Sequence, residues 1–351
     1  MMLPSLSLSE KDGKSGSTGF PIRVQHPPRK DDSVLTNVVL ALKCYAIGPP
    51  LAIIKLLIIV VLVLLITLLE LISNVLIVPE IKHAWRKLVY GLLGRTVLFV
   101  CGFWWIPTTP VSLHRGGRKA QSARNSHASK HSKVDIYIAN HSSYFDLLYF
   151  QCKLAPVFLH VSLNGNVRQL QFAEAMQLAG EYPRLDDSMD KLDLISFIKK
   201  CSDSPFTPPI VLFPEGTTSN GRGLLKFMPI FSKMNSEELG IQFHIVGLKY
   251  IYDQWCPCYT VGGKLSHFFW SLTQFVNTLN VRELSPHETV ISLDPLAEGA
   301  ISDGEDLVGS QLSTLLAQVL RIRKTSKDVA DKCDFLDFYN ERKNKRYVRK
   351  K

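Results

Sequence analysis

Three things are missing from this 351-residue chain: a regular cysteine spacing, a second Cys or His pair that would complete Cys256-Pro-Cys258 as a zinc site, and any Gly-x-Ser-x-Gly sequence. Seven cysteines (44, 101, 152, 201, 256, 258 and 333) form an odd set without a repeat. That excludes a disulfide framework and points to a reducing compartment. A structural metal is not expected, and the missing nucleophile elbow removes the usual serine hydrolase. Basic residues do not interleave with aromatics, so nucleic acid is not an expected partner. The apolar run begins only after Pro49-Pro50, so a secretory signal is not expected either.

What the chain does have is unevenly placed. A formal net charge of +10 favours an anionic partner, either a bilayer surface or a phosphate-bearing substrate. From Leu51 to Val78 the only charges are Lys55 and Glu70. A bilayer core of ~30 Å needs about 20 apolar helical residues, so this run is long enough to cross. Basic residues flank it on both sides, and Glu70 and Asn74 fall where a bend would carry them to the interface, which favours a re-entrant or hairpin anchor. Thr96 to Ile106 is too short to cross, and Trp104 and Trp105 suit the headgroup level.

The pattern divides the chain into a disordered basic tail over 1–47, a membrane-anchoring segment over 48–113 and an exposed basic linker over 114–133. A catalytic-size domain over 134–300 follows, then a C-terminal helix and basic tail over 301–351. Val134 to Ala139 alternates as a strand, and a helix is expected from Ser143 to Leu154. Further strands are expected at Pro156–Val161, Ile210–Phe213, Ile241–Tyr252 and past Val290. Further helices are expected at Gln169–Leu178, Lys191–Lys200 and Asp306–Ile322. This alternation predicts an α/β fold, a mostly parallel sheet flanked by helices, with ligands beyond the carboxyl ends of the strands.

Two stretches sit at such strand ends: Asn140-His141-Ser142-Ser143-Tyr144-Phe145-Asp146 and Phe213-Pro214-Glu215-Gly216-Thr217. A neutral imidazole at His141 can take a proton from an alcohol, and a carboxylate at Asp146 would fix its tautomer. Inside one helix, five positions would separate the pair by ~140° and ~7.5 Å, so His141 must lie in the loop before the helix. Ser143-x-x-Asp146 also matches a capping box, a structural alternative for the same carboxylate. The second stretch offers backbone N–H groups, a hydroxyl and a carboxylate around Gly216, a nest for a phosphate or an oxyanion.

Together the two stretches resemble the first and third blocks of the glycerolipid acyltransferase family, over roughly Val134 to Tyr252. The resemblance implies that His141 and Asp146 are catalytic and that Glu215, Gly216 and Thr217 bind substrate. The family often has an arginine directly after that threonine; here the residue is Thr218, and Arg222 or Lys226 lies close enough in sequence to replace the charge. Gly180-Glu181-Tyr182-Pro183-Arg184 has the ingredients of the second block, which makes Arg184 a further substrate-binding candidate. Phe243 to Leu248 resembles the fourth, with Gly247 in place of its proline. The Thr-Thr-Ser-Asn ending is similar to the branch holding lysophosphatidylcholine acyltransferases and the fungal lysophosphatidic acid:oleoyl-CoA acyltransferase, and the single domain favours the latter.

What this implies is acyl transfer from acyl-CoA, as co-substrate and without a cofactor, to the free hydroxyl of lysophosphatidic acid. The implied setting is an endoplasmic reticulum membrane or lipid-droplet surface, with the site facing the cytosol. Another lysophospholipid acceptor, such as lysophosphatidylcholine, and an inactive membrane scaffold of the same fold are the alternatives.

Overall fold

A computed structural model describes residues 42–113, 134–162, 165–179, 181–183, 192–231, 241–252, 255–285, 289 and 306–348. The expected strand past Val290 lies outside these residues, as do Gly180 and Arg184.

The apolar run is helix α1, Gly48–Ser73, 26 residues or ~39 Å long. It ends sooner than expected, because Asn74 caps it and the chain turns before Pro79. Its buried positions Ala52, Ile59, Ile66 and Ser73 recur every seven residues along one stripe, while Leu57, Val61, Leu64 and Leu71 are exposed. Helix α2, Pro79–Val89, returns against α1. Trp85 Nε1–H donates to the Leu69 carbonyl at 3.0 Å, and Arg86 pairs with Glu70 at 3.1 Å. Glu70 thus sits at the bend end of a helical hairpin. A π-helical turn, Tyr90–Gly94, leads into the short α3, Arg95–Val100. Beyond it Phe103 is buried and Trp104 and Trp105 are exposed.

The sheet has eight strands: β1 Thr108–Val111, β2 Val134–Ala139, β3 Val157–Val161, β4 Asn166–Leu170, β5 Leu192–Asp193, β6 Ile210–Leu212, β8 Ile241–Ile251 and β9 Thr278–Leu284. Their order is β1-β9-β8-β2-β6-β3-β4-β5, with a parallel centre from β8 to β3. The pairings β3–β4, β4–β5 and β8–β9 are antiparallel. A second, two-stranded parallel ribbon joins β7, Gly223–Leu224, to β10, Arg323–Lys324.

Alternation along the central strands supplies two cores. Ile136, Ile138, Ile210, Leu212 and Ile245 belong to one, covered by α6 (Leu194–Ser202) and α8 (Leu307–Leu320). Ala139, Val211 and Val246 belong to the other, with Phe145 and Phe150 of α4 (Tyr144–Leu154). At Gly247 a side chain would stand 2.8 Å from Leu320, so the glycine lets α8 reach the sheet.

Several boundaries differ from expectation. β1, inside the expected anchor, pairs with β9 at the sheet edge, and α8, inside the expected C-terminal segment, covers the core. The sheet and its cover therefore draw on residues on both sides of 134–300. Residues 169 and 170 belong to β4, and α5 starts only at Phe172 and runs to Leu178. The helix α7, Lys264–Leu272, and strand β9 carried no clear sequence period. The basic end, read as a tail, is helical up to Val348 in α9, Val329–Val348.

Candidate active site

The two stretches meet because β2 and β6 are parallel neighbours. Ile138 pairs with Leu212, so His141 and Glu215 each stand three residues beyond the same rung. The His141 N–H donates to Glu215 Oε1 at 2.9 Å, and Glu215 Oε2 accepts the Leu225 N–H at 3.0 Å. The His141 carbonyl accepts the Ser219 N–H at 2.8 Å. A fully buried glutamate thus ties the two loops together. Burial pushes its carboxyl up to about 8, against the pull of the Leu225 and His141 N–H groups. Expected to touch substrate, Glu215 has both oxygens committed to the backbone.

Helix α4 begins immediately after the histidine. Ser143 is its cap: Oγ accepts the Phe145 N–H at 3.3 Å and donates to the Pro257 carbonyl at 2.7 Å. Asp146 Oδ2 accepts the N–H groups of Ser142 at 2.6 Å and Ser143 at 2.7 Å, and lies 3.1 Å from His141 Nδ1. Tyr250 OH donates to Oδ1 at 2.5 Å. The capping box and the histidine contact are therefore not rivals; one carboxylate makes both. Its burial is compensated by this ring of donors, as a buried carboxylate requires.

An ionised carboxylate only accepts, so the proton of His141 belongs on Nδ1 and the lone pair on Nε2. The ring stacks on Phe213, with centroids 4.4 Å apart and planes 23° from parallel. It lines a cleft that opens to solvent. Thr217 and Thr218 flank it, and Leu147, Phe158, Leu170 and Leu178 supply an apolar wall. An apolar chain with a reactive polar end fits such a lining.

Gly216 sits in this turn at φ +66°, and a side chain there would meet Val329 Cγ2 at 3.1 Å. Its N–H closes the turn on the Phe213 carbonyl at 3.0 Å. Gly216 and Thr217 both line the cleft with His141. Arg222 and Lys226 are exposed on the loop beyond, and Glu181, Tyr182 and Pro183 line the cleft just before Arg184. Burial holds the phenol of Tyr250 well above its ordinary range, so it stays a donor to Asp146. Tyr250 gave no sequence signal beyond its place in a strand. Asn140, just before the histidine, holds β2 to β8: its side chain accepts the Leu248 N–H at 2.8 Å and donates to the Leu248 carbonyl at 2.9 Å. Among the described residues no cluster of His, Cys, Asp and Glu could hold a metal ion.

Known proteins share part of this chain. The Acyltransferase family model matches residues 122–246. The chain is 25% identical over 227 residues to the lysophospholipid acyltransferase LPEAT1 of Arabidopsis thaliana, covering 58% of this chain and 54% of that protein. It is 32% identical over 148 residues to the lysophospholipid acyltransferase LPCAT4 of Xenopus tropicalis, covering 41% and 24%. The chain thus spans about half the length of the first relative and a quarter of the second. A crystal structure of the 1-acyl-sn-glycerophosphate (LPA) acyltransferase PlsC from Thermotoga maritima matches with a TM-score of 0.37 at 15% identity, over 82% of this chain and 95% of that one. The segment that matches the Acyltransferase family model, residues 122–246, holds His141, Asp146 and Glu215.

Proposed function

We propose that this protein is an acyl-CoA-dependent lysophospholipid acyltransferase whose acceptor is lysophosphatidic acid and whose product is phosphatidic acid. The observation that carries the reading is the His141–Asp146 pair, with Nδ1 tied to the carboxylate and the ring on the cleft wall. His141 Nε2 takes the proton of the acceptor hydroxyl as its oxygen attacks the thioester carbonyl. Asp146 stabilises the imidazolium, the C–S bond breaks, and the proton passes to the departing CoA thiolate. The substrate-binding roles of Gly216 and Thr217 rest on their place beside His141, and those of Arg184, Arg222 and Lys226 on the sequence resemblance alone.

The exposed apolar faces of α1 and the exposed Trp104 and Trp105 support attachment to a bilayer or lipid-droplet surface. We place the protein on the endoplasmic reticulum or on lipid droplets, with the cleft on the cytosolic side. Two relatives are named as lysophospholipid acyltransferases, which keeps other lysophospholipid acceptors as the second reading. The test supplies labelled acyl-CoA and a panel of lysolipids to membranes carrying the protein or His141→Ala. Transfer to lysophosphatidic acid, lowered ~10²–10⁴-fold in the variant, is the expected result. Transfer only to lysophosphatidylcholine changes the acceptor. No transfer above the variant on any acceptor leaves the scaffold reading.

A further inference from the structure

Lys332 lies in the first turn of α9, outside the segment that matches the family, yet it is only 3% exposed. Its Nζ donates to the Thr218 carbonyl at 3.1 Å and the Thr260 carbonyl at 2.9 Å. An ammonium has three N–H donors, so the third is left over. Among the described residues no carboxylate pairs with it. Glu215, the carboxyl acting on it, spends both oxygens on backbone N–H groups. Burial lowers the lysine to about 8. A buried cation without a paired carboxylate costs a fold stability, and perturbed ionisable groups beside a cleft mark functional sites.

Lys332 does not itself line the cleft, but the residue whose carbonyl it holds does. Thr218 lines the cleft beside Gly216 and Thr217. The β7–β10 ribbon leads α9 to this turn, with the Thr325 N–H on the Leu224 carbonyl and the Lys226 N–H on the Lys327 carbonyl, both at 2.8 Å. Val329 packs at Gly216, and Asp337 accepts from Tyr182, another cleft residue, at 3.1 Å. Arg222 and Lys226, the sequence candidates for a cation here, are exposed instead.

We propose that Lys332, reaching the Gly216–Thr218 turn from the C-terminal helix, supplies the positive charge that receives the acceptor's phosphate. The inference rests on the reading above and names the side chain that recognises the anionic end of that substrate. Neither sequence spacing nor the matched family segment includes this residue. CoA also carries phosphates, so the test must separate donor from acceptor.

Full-length protein in detergent, as wild type, Lys332→Met and Lys332→Arg, would be titrated with lysophosphatidic acid, with monoacylglycerol of the same chain and with CoA, while acyl transfer is measured in parallel. Thermal unfolding would verify that each variant is folded. Lys332→Met is expected to weaken lysophosphatidic acid at least tenfold while monoacylglycerol and CoA bind as before, and Lys332→Arg to restore most of the loss. Equal weakening of lysophosphatidic acid and monoacylglycerol would show a structural role and overturn the proposal, as would no weakening at all. Selective loss of CoA would assign the charge to the donor and overturn it too. If Lys332→Met does not fold, Lys332→Arg and Lys332→Gln decide by the same three ligands. Failure of the wild type to transfer an acyl group sinks the enzymatic reading instead, and the binding comparison still judges Lys332.

Discussion

Glu215 accepts the backbone N–H of His141 across 74 residues of sequence, and this bond sets the position of the histidine. The parallel register of β2 and β6 brings the two together, and the second oxygen of the glutamate extends the tie to Leu225. Glu215→Gln keeps the shape but turns one acceptor into an N–H₂ group facing a backbone donor. We expect a stability loss of ~1–3 kcal/mol, the cost of an unmet buried donor. Activity should fall with it, because His141 loses its anchor. Thermal unfolding and acyl transfer measured on one preparation check both, and unchanged values would remove Glu215 from this role.

The same glutamate makes stability depend on pH. Unfolded, its carboxyl titrates near 4.5; folded, burial raises it to about 8. Between those values the folded chain keeps a proton that the unfolded chain has released, so this contribution is full below about 4.5 and is lost as pH rises through about 8. Lys332 acts in the adjoining window, since its folded value of about 8 lies below 10.5 and its contribution improves as pH rises between them. The difference in unfolding midpoint between wild type and Glu215→Gln should change steadily from pH 5 to pH 8. A difference that is flat across this range would contradict the assignment.

Asp146→Asn tests a carboxylate with two duties. The amide cannot accept from Ser142, Ser143, Tyr250 and His141 together, so the α4 cap weakens by ~0.5–2 kcal/mol. The wrong histidine tautomer should lower transfer by ~10²–10⁴. Tyr250→Phe separates the duties, because it removes one donor to Asp146 and leaves the cap intact. Its loss of rate should be the smaller, with the pH–rate profile displaced.

Gly216→Ala meets two obstacles: a positive φ and Val329. We expect ~1–3 kcal/mol of destabilisation. Gly247→Ala drives its methyl into Leu320 and should cost a similar amount. Only the first lines the cleft, so only Gly216→Ala should raise the KM for the acceptor at temperatures where both variants are folded. Equal kinetics in the two variants would argue against a binding role for the turn.

Much of the fold was legible from local pattern. Val134–Ala139 alternates apolar and polar residues, and it is a strand to the residue. Ser143 and Asp146 mark a helix start, and α4 begins at Tyr144. Asp306 likewise caps α8, accepting the Gly309 N–H at 2.8 Å. Where the pattern was weak, reading stopped early: β1 is a four-residue edge strand containing Pro110, and β4 reads Asn-Val-Arg-Gln-Leu. β1 lies at the sheet edge with no fully buried side chain, and β4 buries only Val167 and Leu170, so the period of each is faint.

The sequence by itself determined the chemical vocabulary: a histidine in a loop, a carboxylate one helical turn on, a Pro-Glu-Gly-Thr turn after a buried strand, and an apolar helix too uniform for a water-facing surface. These follow from spacing, capping and hydropathy, which act within a few residues. Only the tertiary structure decided what each group does. Strand register turned Glu215 from a substrate ligand into the clamp on His141, a strand a hundred residues on brought Tyr250 to Asp146, and the last helix brought Lys332 to Thr218. Such pairings depend on which strands become neighbours and which helix covers them. That choice is made by the whole core, through its burial, and no local stretch encodes it.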